Sequence, residues 1–383
     1  MNKPLILCLI VLSQFFGTSL WFSSNAVLFS IAEYHHLENS DLLANLTIAT
    51  QVGFILGSLL FAFFSIADRY KANWVFSGSI LLAALFNTCI TLPELTFNWI
   101  FAFRFLTGFF LAGVYPVGMK IAAYFFPKKV SNALGVLVGA LVLGTAFPHF
   151  VASFQIDLSW KAVIFTSSIL GILGSFLMIG LSTPTNSNLT RLDMTLLPKL
   201  FKKQDFRAAS WGYFGHMWEL YTFWTFVPLL ISKFAQQQNS TVNTSFLSFI
   251  TISAGALGCV FAGKLALNLG TLKVTRWALF ASFFCCLLAP ISLYFPTELF
   301  CVFLVFWGLV VVADSPLLST LINQNSIPNY NGTALTISTS IGFMITIVSI
   351  ALFNYAMQYF TIPFVFVLLA LGPLISIWAL PKK

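Results

Sequence analysis

Apolar residues fill this chain in long runs separated by short polar breaks. A helix rising 1.5 Å per residue needs about 20 apolar residues to cross roughly 30 Å of hydrocarbon. Twelve runs reach that length: 5–31, 42–65, 73–92, 98–123, 132–154, 161–181, 208–231, 244–267, 275–295, 299–322, 332–356 and 361–380. The breaks carry turn and charge signals, such as Asp68-Arg69-Tyr70-Lys71, Pro127-Lys128-Lys129 and Ser326-Ile327-Pro328-Asn329. The longest hydrophilic stretch, 182–206, divides the chain into six spans over 1–181 and six over 207–383. The pattern predicts an all-α membrane protein of twelve transmembrane helices, arranged as two six-helix bundles joined by a linker. Secondary transporters use such paired architectures.

Composition agrees with the pattern. Of 383 residues 58% are hydrophobic and only 8% charged, where a soluble domain carries about a quarter. No stretch is long enough for a soluble catalytic domain, and no HExxH or Ser/His dyad in a recognisable context occurs, so an enzyme is not expected. The six cysteines lie in apolar runs with no metal-ligand spacing, so they read as reduced packing residues and no cofactor is expected.

The net charge of +8 reads as topology rather than as nucleic-acid binding. With both termini inside, the cytoplasmic segments hold fifteen of the 19 Lys and Arg, and the outer loops only Lys161 and Lys233. Arg104 and Lys120 lie within spans. The positive-inside rule therefore predicts a multi-pass protein of the cytoplasmic (inner) membrane with cytoplasmic termini.

Four ionisable residues interrupt runs otherwise fit for hydrocarbon: Arg104, His216, Glu219 and Asp314. A charge at bilayer depth costs a few kcal/mol on insertion scales, so such residues face a wet cavity or each other. Span one adds Gln14, Thr18, Trp21 and Asn25, whose spacing would place them on one face of a continuous helix.

Several segments resemble the major facilitator superfamily. Asp68-Arg69 is similar to its acidic-basic loop after helix two, with Phe64 and Lys71 where glycines usually stand. Arg104-Phe-Leu-Thr-Gly108-Phe-Phe-Leu-Ala-Gly113-Val-Tyr-Pro116 is close to the arginine-and-glycine pattern of its fourth helix. The segments 215–221 and 313–316 resemble a bacterial branch loosely grouped with nitrate/nitrite and cyanate porters. The arginines that nitrate porters use in helices two and eight are missing. The Gly-Pro pair of many drug–proton antiporters is also absent from span five.

The resemblance implies two pseudo-symmetric bundles whose helices one, four, seven and ten line the transport cavity, in a protein that works as a monomer. Arg104, Asn25, Trp21, Thr18, Gln14 and His216 become candidates for solute binding. Arg104, roughly 10 Å deep in its span, is either a fixed cation for an anionic solute or a partner for carbonyls. Glu219, Asp314 and His216 are candidates for proton coupling. The other readings are a Glu219–His216 hydrogen bond and an Asp314 cap at the span-ten proline. Asp68 and Arg69 are candidates for a gating latch.

The expected activity is alternating-access movement of a small polar or anionic solute, with proton symport favoured. The alternatives are proton-driven efflux of an amphipathic compound and a non-transporting membrane sensor. Expected partners are the solute, protons and membrane lipid, with no nucleic acid.

Overall fold

The computed structural model describes residues 2–37, 41–127, 130–154, 159–183, 197–327 and 331–381. Lys128, Lys129, Arg191, most of the 182–206 linker and the two terminal lysines lie outside the described residues.

The chain divides into two compact units, Met1–Leu192 and Asp193–Lys383. The first holds α1 (Lys3–Thr18), α2 (Leu28–Tyr34), α3 (Leu42–Phe63), α4 (Ile66–Arg69), α5 (Ala72–Cys89), α6 (Phe97–Leu111), α7 (Tyr115–Phe125), α8 (Val130–Ala152) and α9 (Trp160–Ile179). The second holds α10 (Leu197–Lys202), α11 (Gln204–Gln238), α12 (Thr244–Leu269), α13 (Thr271–Ser292), α14 (Thr297–Val310), α15 (Ser315–Asn325), α16 (Asn331–Ala356), α17 (Ile362–Val365) and α18 (Leu371–Ala379). The described residues contain no strand.

Among the described residues, 10 helical stretches are long and apolar enough to cross a membrane, counting α6–α7 and α14–α15 as one stretch each. Two of the twelve expected spans fall outside that set. The 16-residue α1 is apolar but short. The 35-residue α11 is long but less apolar. Its physical licence is burial: Phe206 to Phe234 is mostly packed against α12, α15, α16 and α18, so it need not match lipid.

Four expected spans are interrupted. Spans four and ten break at corresponding places, since Phe97 and Tyr115 begin the two halves of one, and Thr297 and Ser315 those of the other. Pro116 and Pro316 cause the breaks. A proline lacks the N–H for the carbonyl four residues back and clashes with it, so the upstream helix ends at Leu111 or Val310. In span twelve a 3₁₀ turn, Phe366–Ala370, precedes Pro373.

Span one corrects the expectation of a single helix over 5–31, for α1 stops at Thr18. Hydroxyls there bond backwards to main-chain carbonyls, Thr18 to Gln14 (2.9 Å), Ser19 to Phe16 (2.7 Å) and Ser23 to Leu20 (3.1 Å). Such bonds offer the backbone an alternative to the helix. Trp21 and Asn25 therefore do not continue the face that carries Gln14 and Thr18.

Glycine brings backbones together at matched points of the two units. A Cβ on Gly108 would overlap the Thr50 carbonyl, and one on Gly308 the Thr251 carbonyl. Gly57 meets Phe109 as Gly258 meets Leu309. The α3–α6 and α12–α14 pairs are thus two copies of one close crossing. Gly53 joins the first, against the Phe105 carbonyl, so the Gly53-xxx-Gly57 pair packs inside its own unit.

Candidate functional site

Each unit buries one polar knot where its first, third and fourth spans meet. In the first unit the centre is Arg104 on α6, with no solvent exposure. Its Nη1 donates to the Leu20 carbonyl (3.2 Å) and to Asn87 Oδ1 (3.1 Å). Its Nη2 donates to the Trp21 carbonyl. These carbonyls belong to the break in span one, where the helical ladder no longer supplies donors. Asn87 on α5 extends the knot, accepting from Ser23 Oγ (2.6 Å) and donating to Ser168 Oγ (3.0 Å) on α9. Arg104 Nε has no hydrogen-bond partner among the described residues.

In the second unit the centre is Glu219 on α11. Its Oε1 accepts from Ser282 Oγ (2.6 Å) and Cys286 Sγ (3.2 Å) on α13, and from Trp307 Nε1 (3.1 Å) on α14. These three donors, rather than His216, hold the carboxylate. Three donors from two helices converge on one oxygen and tie α11 to α13 and α14.

His216, one turn before Glu219, turns to a different partner. Its Nδ1 lies 2.8 Å from Asp314 Oδ1, with the two side chains 1% and 3% exposed. Asp314 occupies the N-cap position of α15, but its side chain makes no capping hydrogen bond. The carboxylate spans the gap to α11 instead. His216 Nε2 is buried with no hydrogen-bond partner among the described residues. Tyr213 flanks the ring at a centroid distance of 6.0 Å.

The span-one candidates separate. Gln14 is fully buried against Gly118 of α7 and keeps both amide atoms without a hydrogen-bond partner among the described residues. Thr18 spends its hydroxyl on its own helix. Asn25 Nδ2 donates to Thr47 Oγ1 (2.7 Å) on α3. Trp21 sets its ring edge-on to Phe54, with centroids 4.9 Å apart.

Asp68 pairs with Lys120 rather than with Arg69. Lys120 Nζ lies 2.5 Å from Asp68 Oδ1 and also donates to the Ala67 carbonyl, tying α4 to α7. The Arg69 side chain makes no ion pair among the described residues. The same residues contain no cluster of three or more metal-ligating side chains.

Residue type alone did not single out Asn87, Ser282 or Cys286. The available signal was position. Asn87 is an amide deep in an apolar run, and Ser282 and Cys286 share a helix face at i, i+4.

The model of the Major Facilitator Superfamily matches residues 7–350. Over 112 residues the chain is 37% identical to the niacin transporter NiaP of Acinetobacter baylyi, a match covering 26% of this chain and 25% of that protein. The chain thus spans about a quarter of the length of this curated relative. In fold it is similar to a crystal structure of a point mutant of the nucleoside transporter NupG. There the TM-score is 0.76 at 14% identity, over 98% of each chain.

Proposed function

Because the chain belongs to the major facilitator superfamily and is a multi-pass secondary transporter, we propose that it moves a small polar or anionic solute by alternating access in symport with protons. The observation that carries this reading is the His216–Asp314 pair, whose second ring nitrogen is left without a partner.

Proton uptake at that pair has two effects that favour an anion. The pair's net charge rises from minus one to zero, removing a repulsion. Nε2 also changes from an acceptor into a donor aimed at the solute. By linkage, the solute in turn strengthens proton binding by the same factor. A coupling of about 1–3 kcal/mol corresponds to roughly 5- to 150-fold in affinity.

The other residues take graded roles. Glu219 is the second proton-exchanging group, since one of its oxygens is occupied by three donors while the other can carry a proton. Gln14 offers an amide with full hydrogen-bonding capacity to the solute. Arg104, engaged through both terminal nitrogens, influences solute binding by holding the span-one break in shape. Thr18, Trp21 and Asn25 act through the same break. Asp68 works as a latch with Lys120. The partial likeness to a niacin transporter favours a small organic solute. The excess of Lys and Arg in alternate loops supports the inner membrane with both termini cytoplasmic.

The deciding experiment is uptake of a solute panel by liposomes containing the purified protein, with and without an inward proton gradient. Wild type should accumulate solute only with the gradient. Asp314→Asn and His216→Gln should exchange solute without accumulating it. Accumulation by wild type that Asp314→Asn, His216→Gln and Glu219→Gln all retain would refute the coupling assignment. A panel in which nothing moves under any gradient would favour a sensor.

A further inference from the structure

The second unit carries a cleft at the end where α11 and α13 finish and α17 begins. It encloses about 420 Å³, within the roughly 300–1,000 Å³ typical of small-ligand pockets. Lys233 and Gln237 come from α11, Ile291 from the last turn of α13, Tyr294 from just past its end, and Thr361 and Phe364 from the entry to span twelve. The main-chain rim is fixed, for Gln238 Nε2 donates to the Leu293 carbonyl (2.7 Å).

The lining has a consistent chemistry. Its one charged residue is Lys233, and no carboxylate lines the cleft. Lys233 forms no ion pair among the described residues. Gln237 and Thr361 add an amide and a hydroxyl able to donate beside it. The remaining wall is apolar and open to the outside of the protein, with Ile291 54%, Tyr294 76% and Phe364 61% exposed. A lone cation beside tyrosine and an apolar strip is the arrangement that membrane interfaces favour. By the Lys/Arg asymmetry, this end faces the outer leaflet.

We infer that this cleft binds the headgroup of an anionic phospholipid, with its phosphodiester on Lys233 and its glycerol and first acyl carbons along Ile291 and Phe364. Charge complementarity selects the anion. The continuous apolar strip selects a lipid over a free phosphate, because a soluble phosphate would leave that strip uncovered. A zwitterionic lipid presents the same phosphate but brings a cation of its own, for which the cleft has no carboxylate.

Native mass spectrometry of the full-length protein, delipidated in detergent, tests this. The probes are phosphatidylglycerol, phosphatidylcholine and free glycerol 3-phosphate. Wild type should retain one phosphatidylglycerol about tenfold more tightly than Lys233→Gln does, the scale of one lost charge-assisted contact. Lys233→Arg should restore retention. Ile291→Ser should weaken the lipid while leaving glycerol 3-phosphate unaffected. Equal retention of phosphatidylglycerol by wild type and Lys233→Gln would overturn the assignment. So would full competition by glycerol 3-phosphate, or equal retention of phosphatidylcholine.

Discussion

The Arg104 guanidinium donates to the main-chain carbonyl of Trp21 at the point where span one stops being helical. A side chain on the fourth span thus supplies donors that the first span's own ladder lacks. Removing it leaves two carbonyls and Asn87 Oδ1 buried without that donor. Arg104→Leu should therefore destabilise the protein by roughly 2–4 kcal/mol, read as a drop in thermal midpoint in detergent. Arg104→Lys, which cannot reach two carbonyls as a fork, should fall between. A Leu variant with an unchanged midpoint and lost solute binding would reassign Arg104 to direct solute contact.

The matched glycine crossings predict matched penalties. Gly108→Ala and Gly308→Ala each drive a methyl into a backbone carbonyl that cannot swing aside. Each should cost about 1–3 kcal/mol, the usual range for overpacking. Gly263→Ala is the control, with nothing within 4 Å of its Cβ position. A mid-helix Gly→Ala change in open space should stabilise by about 0.5–1 kcal/mol. A Gly308→Ala protein as stable as wild type would contradict the packing described for α12 and α14.

Glu219→Gln and Glu219→Leu should differ sharply. Glutamine keeps an acceptor for Ser282, Cys286 and Trp307, so the fold should persist with a midpoint near wild type. Leucine leaves those donors facing apolar surface and should lower the midpoint by several degrees. If both variants melted alike, the three hydrogen bonds would carry little of the α11–α13–α14 contact.

His35 gives the α2 end a pH dependence of definite sign. It lies beyond span one, 8% exposed, with Nε2 3.2 Å from the Ile90 carbonyl and its ring beside Trp160. Burial lowers its pKa below the ordinary histidine value, the Ile90 hydrogen bond opposes this, and Lys161 and His36 reinforce it. The fold thus favours neutral His35. Its stabilising contribution is complete above about pH 6.5 and is lost as pH falls through the lowered folded value. Hydrogen-exchange protection of residues 28–37, relative to the intrinsic rate at each pH, should fall on acidification, and His35→Gln should flatten that response. An unchanged acid response in the variant would place the titrating group elsewhere.

Asp68 and Lys120 are 22% and 33% exposed, so their pair should be worth only about 0.5–1 kcal/mol. A double-mutant cycle with Asp68→Asn and Lys120→Met should return that coupling, shrinking at high salt. A coupling indistinguishable from zero at low salt would remove the latch.

The helices were legible because hydrophobic run length is written directly in residue type. Pro116 and Pro316 also announced their breaks, although the runs around them read as single spans. The break after Thr18 was not announced, since Ser19 and Ser23 are as compatible with a membrane helix as with its end. The partners of the buried charges were legible only in part. Arg104 docks on carbonyls, which every residue has, so no sequence pattern marks them. Glu219 stood one turn from His216, yet each side chain leaves α11 in its own direction, one to α13 and α14 and the other to Asp314. Periodicity assigns a face to a residue but does not say which neighbour that face meets.

The polarity of α11 has a consequence for how the chain is made. A segment of that composition gains little from entering lipid alone, and Glu219 makes solitary entry costlier. Its three donors are synthesised later, on α13 and α14. Stable insertion of α11 must therefore wait for at least 69 further residues beyond Gln238, as far as Trp307. Nascent chains arrested before Trp307 should keep α11 in an alkali-extractable state, while slightly longer ones should anchor it. Insertion of α11 is thus a deferred event, completed only when the helices that follow it supply its partners.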